Sequence, residues 1–203
     1  MDVQVSAATR GDVPVCARVV AAALRDDAVV RAMVPGDHDR LGRLTTVYRA
    51  VLREAVTGGG VVDVARDDPG GPVLGVAVWE PPGAPGGSMP LRELLRLVRA
   101  VGLRNVRATT RALRTFADHR PRDPHWLLAD LAAAPHARGR GVGSALLAHR
   151  LATVDVVGLP AYLEATTDAS RRLYERFGFR ATGTIQLPGA VATSMVRQPA
   201  RPA

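Results

Sequence analysis

Apolar and polar positions along the chain follow two periods, which together predict an α/β protein. Alternation with a period of two indicates strands in the first half of the chain, at residues 3–5, 60–66 and 73–79. Apolar residues three or four apart indicate helices, at residues 13–24, 37–56 and 91–119. Glycine and proline clusters separate these elements, and Gly102 divides the last helical region into two helices.

The second half of the chain begins with a strand of a different kind. The run Trp126–Ala134 is apolar apart from Asp130, which is typical of a strand buried on both faces. A glycine-rich turn follows and leads into a helix with Leu147, Leu151 and Val154 on one face. The remaining elements are two strands flanking a helix and a final strand, at residues 160–165, 169–176, 179–187 and 190–196.

We expect these elements to form a single domain over residues 1–203, because no linker is long enough to divide the chain. At this length the chain buries roughly 70% of its unfolded surface. Residues 83–118 are predicted to form a helical insert on the substrate side. The proline-rich loop at 81–90, which leads into this insert, is the expected rim of a substrate cleft. Residues 198–203 are expected to be a frayed tail.

Composition narrows the classes of function. The chain contains no lysine, so all 27 basic residues are arginine, and the formal net charge is +8. This charge would suit a nucleic-acid ligand, but aromatic residues make up only 4% of the chain and are not interleaved with basic clusters. We therefore expect no nucleic-acid partner, although the positive field would favour an acidic small ligand.

Four arginines in the second insert helix share one face: Arg104, Arg107, Arg111 and Arg114. A solvated surface is the favoured interpretation of this face. The alternative is a basic wall that steers an anionic partner.

The sequence shows no signal for export or membrane insertion. Its first residues lack a charged region followed by an apolar one, and Arg18, Arg25 or Asp130 interrupts each long apolar stretch well short of a ~20-residue span. Cys16 lies in a helical pattern and is expected to be a buried, inert thiol. We expect a cytoplasmic protein, either monomer or homodimer, with no membrane partner and no metal.

A glycine-rich segment follows the central strand and reads Arg138-Gly139-Arg140-Gly141-Val142-Gly143-Ser144. A turn of this kind between a strand and a helix directs free backbone N–H groups and the positive helix end at an anion. A P-loop needs a lysine, which the chain lacks, and a dinucleotide fingerprint needs glycine or alanine at Ser144 or Leu146. Two interpretations remain, an anion-binding loop of another type or a tight turn with solvent-facing arginines.

The pattern Arg-x-x-Gly-x-Gly at Arg138–Gly143 resembles the acetyl-CoA-binding loop of the GCN5-related N-acetyltransferase (GNAT) superfamily. Downstream, Leu163-Glu164-Ala165 and Leu173-Tyr174-Glu175-Arg176-Phe177-Gly178-Phe179 resemble the last block of that superfamily, often written L-Y-E-x-x-G-F. With the segment His119–Trp126 and the start Asp12-Val13-Pro14, the chain resembles the puromycin N-acetyltransferase branch. The resemblance covers roughly residues 2–25, 73–82 and 119–198.

This resemblance implies the GNAT fold, an α/β architecture with a mixed, mostly antiparallel sheet of about seven strands and helices on both faces. The sheet would be splayed in the middle, between the strand ending at Ala134 and the strand ending at Ala165. The implied cofactor is acetyl-CoA, or coenzyme A. The residues expected to bind it are Leu131, Ala132, Ala133, Arg138, Gly139, Arg140, Gly141, Val142, Gly143, Ser144 and, where the family often has asparagine, Ser170.

Transfer of acetyl from a thioester to an amine also needs an acid, a base and a donor to the carbonyl oxygen. The resemblance implies Tyr174 as the general acid, with packing under the sheet edge as its alternative role. Three carboxylates are candidates for the general base, acting directly or through water: Glu80, Asp130 and Glu164. A backbone N–H near residues 131–133 would polarise the thioester carbonyl of the donor.

We therefore expect an acetyl-CoA-dependent N-acetyltransferase. The expected acceptor is a primary amine of a small molecule, an antibiotic or a metabolite, which attacks directly in a ternary complex. One alternative is a protein N-acetyltransferase. Another is a non-catalytic acyl-CoA-binding module that serves as a sensor or regulator, which Ser170 and the absence of one obvious base leave open.

Overall fold

The computed structural model describes residues 3–83 and 91–200 of the chain. Within these residues, strands form one open sheet of seven in the order β1-β2-β3-β4-β5-β7-β6. The strands are β1 (Gln4–Ala7), β2 (Val61–Arg66), β3 (Val73–Glu80), β4 (Trp126–Ala133), β5 (Ala161–Ala165), β6 (Arg180–Leu187) and β7 (Ala190–Arg197). The helices are α1 (Val13–Ala23), α2 (Ala28–Met33), α3 (Arg40–Thr57), α4 (Leu91–Val101), α5 (Val106–His119), α6 (Val142–Val157) and α7 (Asp168–Arg176).

Every neighbouring pair of strands is antiparallel except β4 and β5, which run parallel. That parallel pair is short, because only Trp126, Leu127 and Leu128 of β4 have partners on β5. Beyond Leu128, β4 continues beside β3 while β5 continues beside β7. Strands β4 and β5 therefore diverge beyond Leu128, and we call the opening between them the splay. The predicted fold class is confirmed.

Helices cover both faces of the sheet and bury two main apolar clusters. The cluster on one face joins α6 and Tyr174 of α7 to Trp79, Leu128 and Leu163. The cluster on the other face joins α1 and α3 to Val78 and other residues of β2 and β3. A third cluster packs α2 and α5 against β6 and β7. We name the two sides of the sheet the α6 face and the α3 face.

Two interactions hold α6 close to the sheet. A Cβ added at Gly75 of β3 would lie 2.4 Å from Cγ1 of Val142, so the lack of a side chain there lets the start of α6 lie against the strand. Further along, Arg150 donates from Nε and Nη2 to both carboxylate oxygens of the fully buried Asp63, at 2.9 Å and 2.5 Å. A bidentate pair of this kind fixes the direction of the helix as well as its position.

The sequence pattern predicts helix caps at Asp12 and Asp168 and no helix between residues 24 and 37, and the structure differs at all three places. The short helix α2 lies where no helix was expected, and it begins because the Asp27 carboxylate accepts hydrogen bonds from the amides of Val29 and Val30. Thr167, and not Asp168, caps α7. The carboxylate of Asp12 accepts from Thr9 and Arg66 instead of capping its helix.

Two predicted segments lie partly outside the described residues. Positions 84–90 belong to the predicted cleft rim and insert, and 201–203 belong to the predicted tail. No helix in the described ranges is both long enough and apolar enough to cross a membrane.

Candidate functional site

The glycine-rich loop presents unpaired backbone amides at the start of α6. Gly139 and Gly141 have φ of 75° and 79°, a left-handed conformation that glycine adopts without strain. A Cβ at either glycine would have no described atom within 4 Å, so the space above the loop is open. The first intrahelical donor is Ala145, which donates to the carbonyl of Gly141 at 2.9 Å. The amides of residues 141–144 therefore have no hydrogen-bond acceptor in the described chain and can bind an anion.

Three side chains predicted to bind the cofactor are engaged elsewhere. Arg138 donates from Nη2 to the carbonyl of Ala23 at 2.8 Å, which ties the loop to the end of α1. Arg140 lies 3.5 Å from the carboxylate of Asp67. The hydroxyl of Ser170 belongs to the capping box of α7, where it bonds with Thr167. A candidate anion site at this loop would therefore use backbone donors, with the two arginines supplying charge from its edges.

The splay exposes donors in the middle of the sheet. Ala134 donates to the carbonyl of Leu74 at 2.8 Å, so Ala133 and Gly75 form a non-hydrogen-bonded pair. Alternation along β4 then directs the amides of Ala133 and Leu131 away from β3, into the gap that β5 leaves. Of the three predicted positions, Ala132 is the exception, because its amide points towards β3.

A β-bulge determines which face Asp130 occupies. Trp79 pairs with Leu128 and Val78 pairs with Asp130, so Ala129 is an extra residue without a partner on β3. Leu128 packs on the α6 face, and simple alternation would have put Asp130 there as well. The extra residue reverses the alternation, because Ala132 belongs to the α3 face and Asp130 shares its side of the strand.

Asp130 is an ionisable group without a bonded partner. Its carboxylate makes no hydrogen bond or ion pair with any described residue, and it is partly exposed at the splay. Burial raises the pKa of Asp130 to about 7, and the negative charges of Asp27, Glu80 and Glu164 add to this effect. A carboxylate with a pKa near neutrality suits a general base at physiological pH.

Tyr174 approaches the same region from the α6 face. Its ring is buried against Phe179, with ring centroids 6.0 Å apart, and its hydroxyl has no hydrogen-bond partner among the described residues. Burial raises the pKa of Tyr174, and the negative charges of Asp130, Asp27 and Glu164 raise it further. The phenol therefore keeps its proton at neutral pH and can donate it.

The other two candidate bases differ from Asp130 because both lie near a guanidinium group. Arg120 Nη1 is 3.8 Å from Glu80 Oε2, and Arg120 Nε is 3.9 Å from Glu164 Oε1. Burial raises the pKa of Glu164, while the charge of Arg120 opposes that rise. Glu80 is exposed and Glu164 is mostly buried, so the two carboxylates and the arginine form a bridge across the splay.

Sequence reasoning missed four residues that surround the predicted ones. The charge of Asp27 acts on Asp130, the charge of Asp130 raises the pKa of the Tyr48 phenol, and Tyr162 and Arg120 lie beside Glu164. Asp27 has a readable signal as a helix cap, and Arg120 lies in the segment before the central strand. For the two tyrosines the sequence carries no signal, because only the folded sheet brings them to the site.

The four arginines of the insert are not among the groups whose charges act on Asp130, Glu164 or Tyr174. Arg104, Arg107, Arg111 and Arg114 are all exposed on α5 and the 3-10 turn before it, as the solvated interpretation expects.

The part of the chain that contains the loop and the splay resembles known acetyltransferases. Residues 99–181 match the family model described as an acetyltransferase (GNAT) domain. The chain is also similar to a solved structure from Corynebacterium glutamicum, described as histone acetyltransferase HPA2 and related acetyltransferase. The identity is 29%, with 100% of this chain and 99% of that chain covered and a TM-score of 0.77.

Two more distant structures share the fold. The PaiA N-acetyltransferase from Thermoplasma acidophilum, solved in complex with coenzyme A, has 10% identity, coverage of 98% of this chain and 99% of that chain, and a TM-score of 0.61. The ribosomal-protein-S18-alanine N-acetyltransferase from Escherichia coli has 14% identity, coverage of 100% and 97%, and a TM-score of 0.58. GNAT acetyltransferases use acetyl-CoA. The chain therefore has the GNAT fold, and its residues 99–181 are similar to the GNAT acetyltransferase domain.

Proposed function

We propose that this protein transfers the acetyl group of acetyl-CoA to a primary amine of a small molecule, by direct attack in a ternary complex. The observation that carries the proposal is the unpaired carboxylate of Asp130, held at the splay opposite an unpaired tyrosine hydroxyl. A site that only binds an acyl-CoA needs neither group. The resemblance of the sequence to the puromycin N-acetyltransferase branch favours a small acceptor.

The residues present fit the proposed cofactor. Backbone amides at residues 141–144 would hold the pyrophosphate, since they are unpaired and lie at a positive helix end. The amides of Leu131 and Ala133 would hold the part that enters the splay. When bound, acetyl-CoA supplies the acetyl group as a thioester with a thiol leaving group.

The roles of the side chains follow from their protonation states. Asp130 Oδ accepts a proton from the ammonium form of the acceptor, which frees the lone pair for attack. Tyr174 Oη holds the proton that the departing sulfur requires. An amide of the splay, from Leu131 or Ala133, stabilises negative charge on the carbonyl oxygen. One N–C bond forms, one C–S bond breaks, and one proton is released to water.

Asp130 is preferred to the other candidate bases because of its surroundings. Glu80 and Glu164 both lie beside Arg120, and its positive charge opposes the rise that burial causes in the pKa of Glu164. Asp130 lies beside negative charges only, which raise its proton affinity.

The test is release of free thiol from acetyl-CoA over a panel of small amines and one peptide with a free N-terminus. The peptide represents the protein acceptor named for the Escherichia coli structure. We expect turnover of small amines, with kcat/KM rising with pH through an apparent pKa near 7. Asp130→Asn should remove that limb and lower kcat by about 10²–10⁴-fold.

Two results would contradict the proposal. Turnover confined to the peptide would favour a protein N-acetyltransferase. Binding of acetyl-CoA without thiol release from any acceptor would favour the sensor hypothesis.

A further inference from the structure

The carboxylate of Asp27 is held in place by more hydrogen bonds than a helix cap needs. Its Oδ1 accepts from the amides of Val29 and Val30, at 2.9 Å and 3.0 Å, and these two bonds cap α2. Its Oδ2 accepts from the hydroxyl of Thr166 at 2.5 Å, across 139 positions of sequence. The third bond adds nothing to the cap, but it fixes the second oxygen at the end of β5.

The bond to Thr166 places Asp27 at the splay. The parallel pairing of β4 with β5 ends two residues before Asp130. Continued in the same register, Asp130 would stand level with the last residue of β5, and Thr166 is the next residue along the chain. Val30 of α2 belongs to the apolar cluster of the α3 face, the face that Asp130 occupies. Asp27 therefore lies across the splay from Asp130, on the same face of the sheet.

The electrostatics of the site agree with this placement. After burial, the charge of Asp27 contributes most to the raised pKa of Asp130, ahead of the charges of Glu80 and Glu164. Both glutamates lie beside Arg120, at 3.8 Å and 3.9 Å, so part of their charge is offset. The three hydrogen bonds of Asp27 come from neutral donors, which hold its carboxylate without offsetting its charge.

The other ionisable groups that interact with Asp130 are phenols. Burial and the charges of Asp130 and Asp27 raise the pKa of Tyr48 on α3 and of Tyr174 on α7, so both phenols are neutral at physiological pH. Helices α1 and α6 also pack against β4, but none of their charged groups is among those that act on Asp130. The protonation of Asp130 therefore depends on burial and on three carboxylates, of which only that of Asp27 is held by three hydrogen bonds.

We propose that Asp27 is a positioning residue of the reaction, whose fixed negative charge beside the splay makes Asp130 a stronger base. The inference rests on the proposed function and adds a residue to it. The proton moves from the acceptor nitrogen to Asp130 Oδ, and Asp27 neither touches the acceptor nor exchanges a proton. Its three hydrogen bonds keep the charge at a constant distance from Asp130 during this transfer.

The experiment measures kcat/KM against pH for wild type and Asp27→Asn, with acetyl-CoA and one acceptor throughout, so that titration of the acceptor is common to both. Asparagine caps a helix about as well as aspartate, and it removes only the charge. We expect the midpoint of the acid limb to fall by about 0.5–1 pH unit. The plateau at higher pH should fall about two- to threefold, because Asp130 becomes a weaker base. Damage to the fold would instead lower the profile at every pH without moving its midpoint.

Three variants separate the charge of Asp27 from its hydrogen bonds. Asp27→Ser also caps a helix and is neutral, so it should move the midpoint in the same direction. Thr166→Val removes the third bond but keeps the charge, so it should move the midpoint less. Asp26→Asn is the matched control, because it removes a charge from the adjacent residue, whose side chain is 80% exposed. That variant should keep the wild-type midpoint.

A second readout does not depend on activity. Carbon-13 NMR follows the titration of the Asp130 carboxyl group in the protein without substrates. Its midpoint should be lower in Asp27→Asn than in wild type and unchanged in Asp26→Asn.

The outcomes distinguish this inference from the proposed function. Midpoints that are the same in wild type and Asp27→Asn by both methods overturn the inference and leave the acetyltransferase standing. An equal shift in Asp26→Asn, or a shift in Thr166→Val but not in Asp27→Asn, also overturns it. If the NMR midpoint moves while the kinetic midpoint does not, Asp130 is not the base, and the inference is overturned together with that assignment.

Discussion

Replacement of Asp130 by asparagine should make the folded protein more stable at alkaline pH while it removes the proposed base. Burial and neighbouring charges raise the pKa of Asp130 from the ordinary value of 3.8 to about 7. That difference corresponds to roughly 4 kcal/mol of free energy between the two protonation states. Because Asp130 is partly exposed, water reduces the cost, and we expect a gain of about 2–4 kcal/mol.

The pH dependence follows from linkage. Below pH 3.8 the carboxyl group is protonated in the folded and unfolded states, so it adds nothing to the pH dependence. Between pH 3.8 and about 7 the unfolded chain loses its proton while the folded protein keeps it, so the free energy of unfolding falls as pH rises. Above about 7 the loss is complete and constant. Asparagine has no such titration, so its advantage grows across that window.

The assay is denaturant unfolding of wild type and Asp130→Asn at about pH 4 and about pH 8, the two ends of this window. The stability gained by the variant should be larger at the higher pH by about 2–4 kcal/mol. Asp123→Asn, at an exposed aspartate outside the site, is the control. A gain that is the same at both pH values, or no larger than that of the control, would refute the environment assigned to Asp130. If Asp130→Asn is more stable but inactive, the carboxylate of Asp130 lowers the stability of the fold and is needed for activity.

Three further changes test the acid, the loop and the buried ion pair. Tyr174→Phe should lower kcat at least about tenfold in the thiol-release assay, with the acetyl-CoA Kd within a few-fold, and an unchanged kcat would limit this residue to packing. Gly141→Asp should abolish the stabilisation by acetyl-CoA, about 2.7 kcal/mol at 100 times Kd, because it places a carboxylate at the anion site. Gly158→Asp, with a similar φ of 74° at the other end of α6, should keep the stabilisation by acetyl-CoA. If acetyl-CoA stabilises the two variants equally, the loop assignment is wrong. Asp63→Ala should lower the free energy of unfolding by about 3–5 kcal/mol, because Arg150 is left unpaired. The double variant Asp63→Leu with Arg150→Met should recover most of that free energy. A small loss of stability in Asp63→Ala would show that the fold does not depend on the pair.

The sequence predicted the regular elements well because their signals are local. The hairpin of β2 and β3 was expected at 60–66 and 73–79 and lies at Val61–Arg66 and Val73–Glu80, since alternation and a glycine-rich turn define both strands. The helix α2 has six residues, too few for a helical period, and its only local signal is the cap at Asp27. An element this short depends on its packing against β7 and α5.

The sequence names candidate site residues one by one but does not show how they are arranged. The loop and Tyr174 were found through motifs, and Asp130 through its interruption of an apolar run. Ala129 is one more apolar residue in that run, so the bulge that turns Asp130 to the α3 face becomes visible only when β4 is paired with β3. The position of Asp27 likewise depends on contacts between residues distant in sequence, such as its bond with Thr166.

The short pairing between β4 and β5 also has a mechanical consequence. Three residue pairs join two halves of the sheet, so hydrogen bonding across the middle is weakest where a well-formed sheet is usually strongest. Although Leu131 and Ala133 lie in a central strand, their amide hydrogens should exchange with solvent as fast as those of a loop. The amide of Ala132 between them should be protected from exchange. A ligand that accepts from those two amides would act as the missing section of a strand. Continuity across the sheet, and with it resistance to pulling the halves apart, would then depend on whether the cleft is filled.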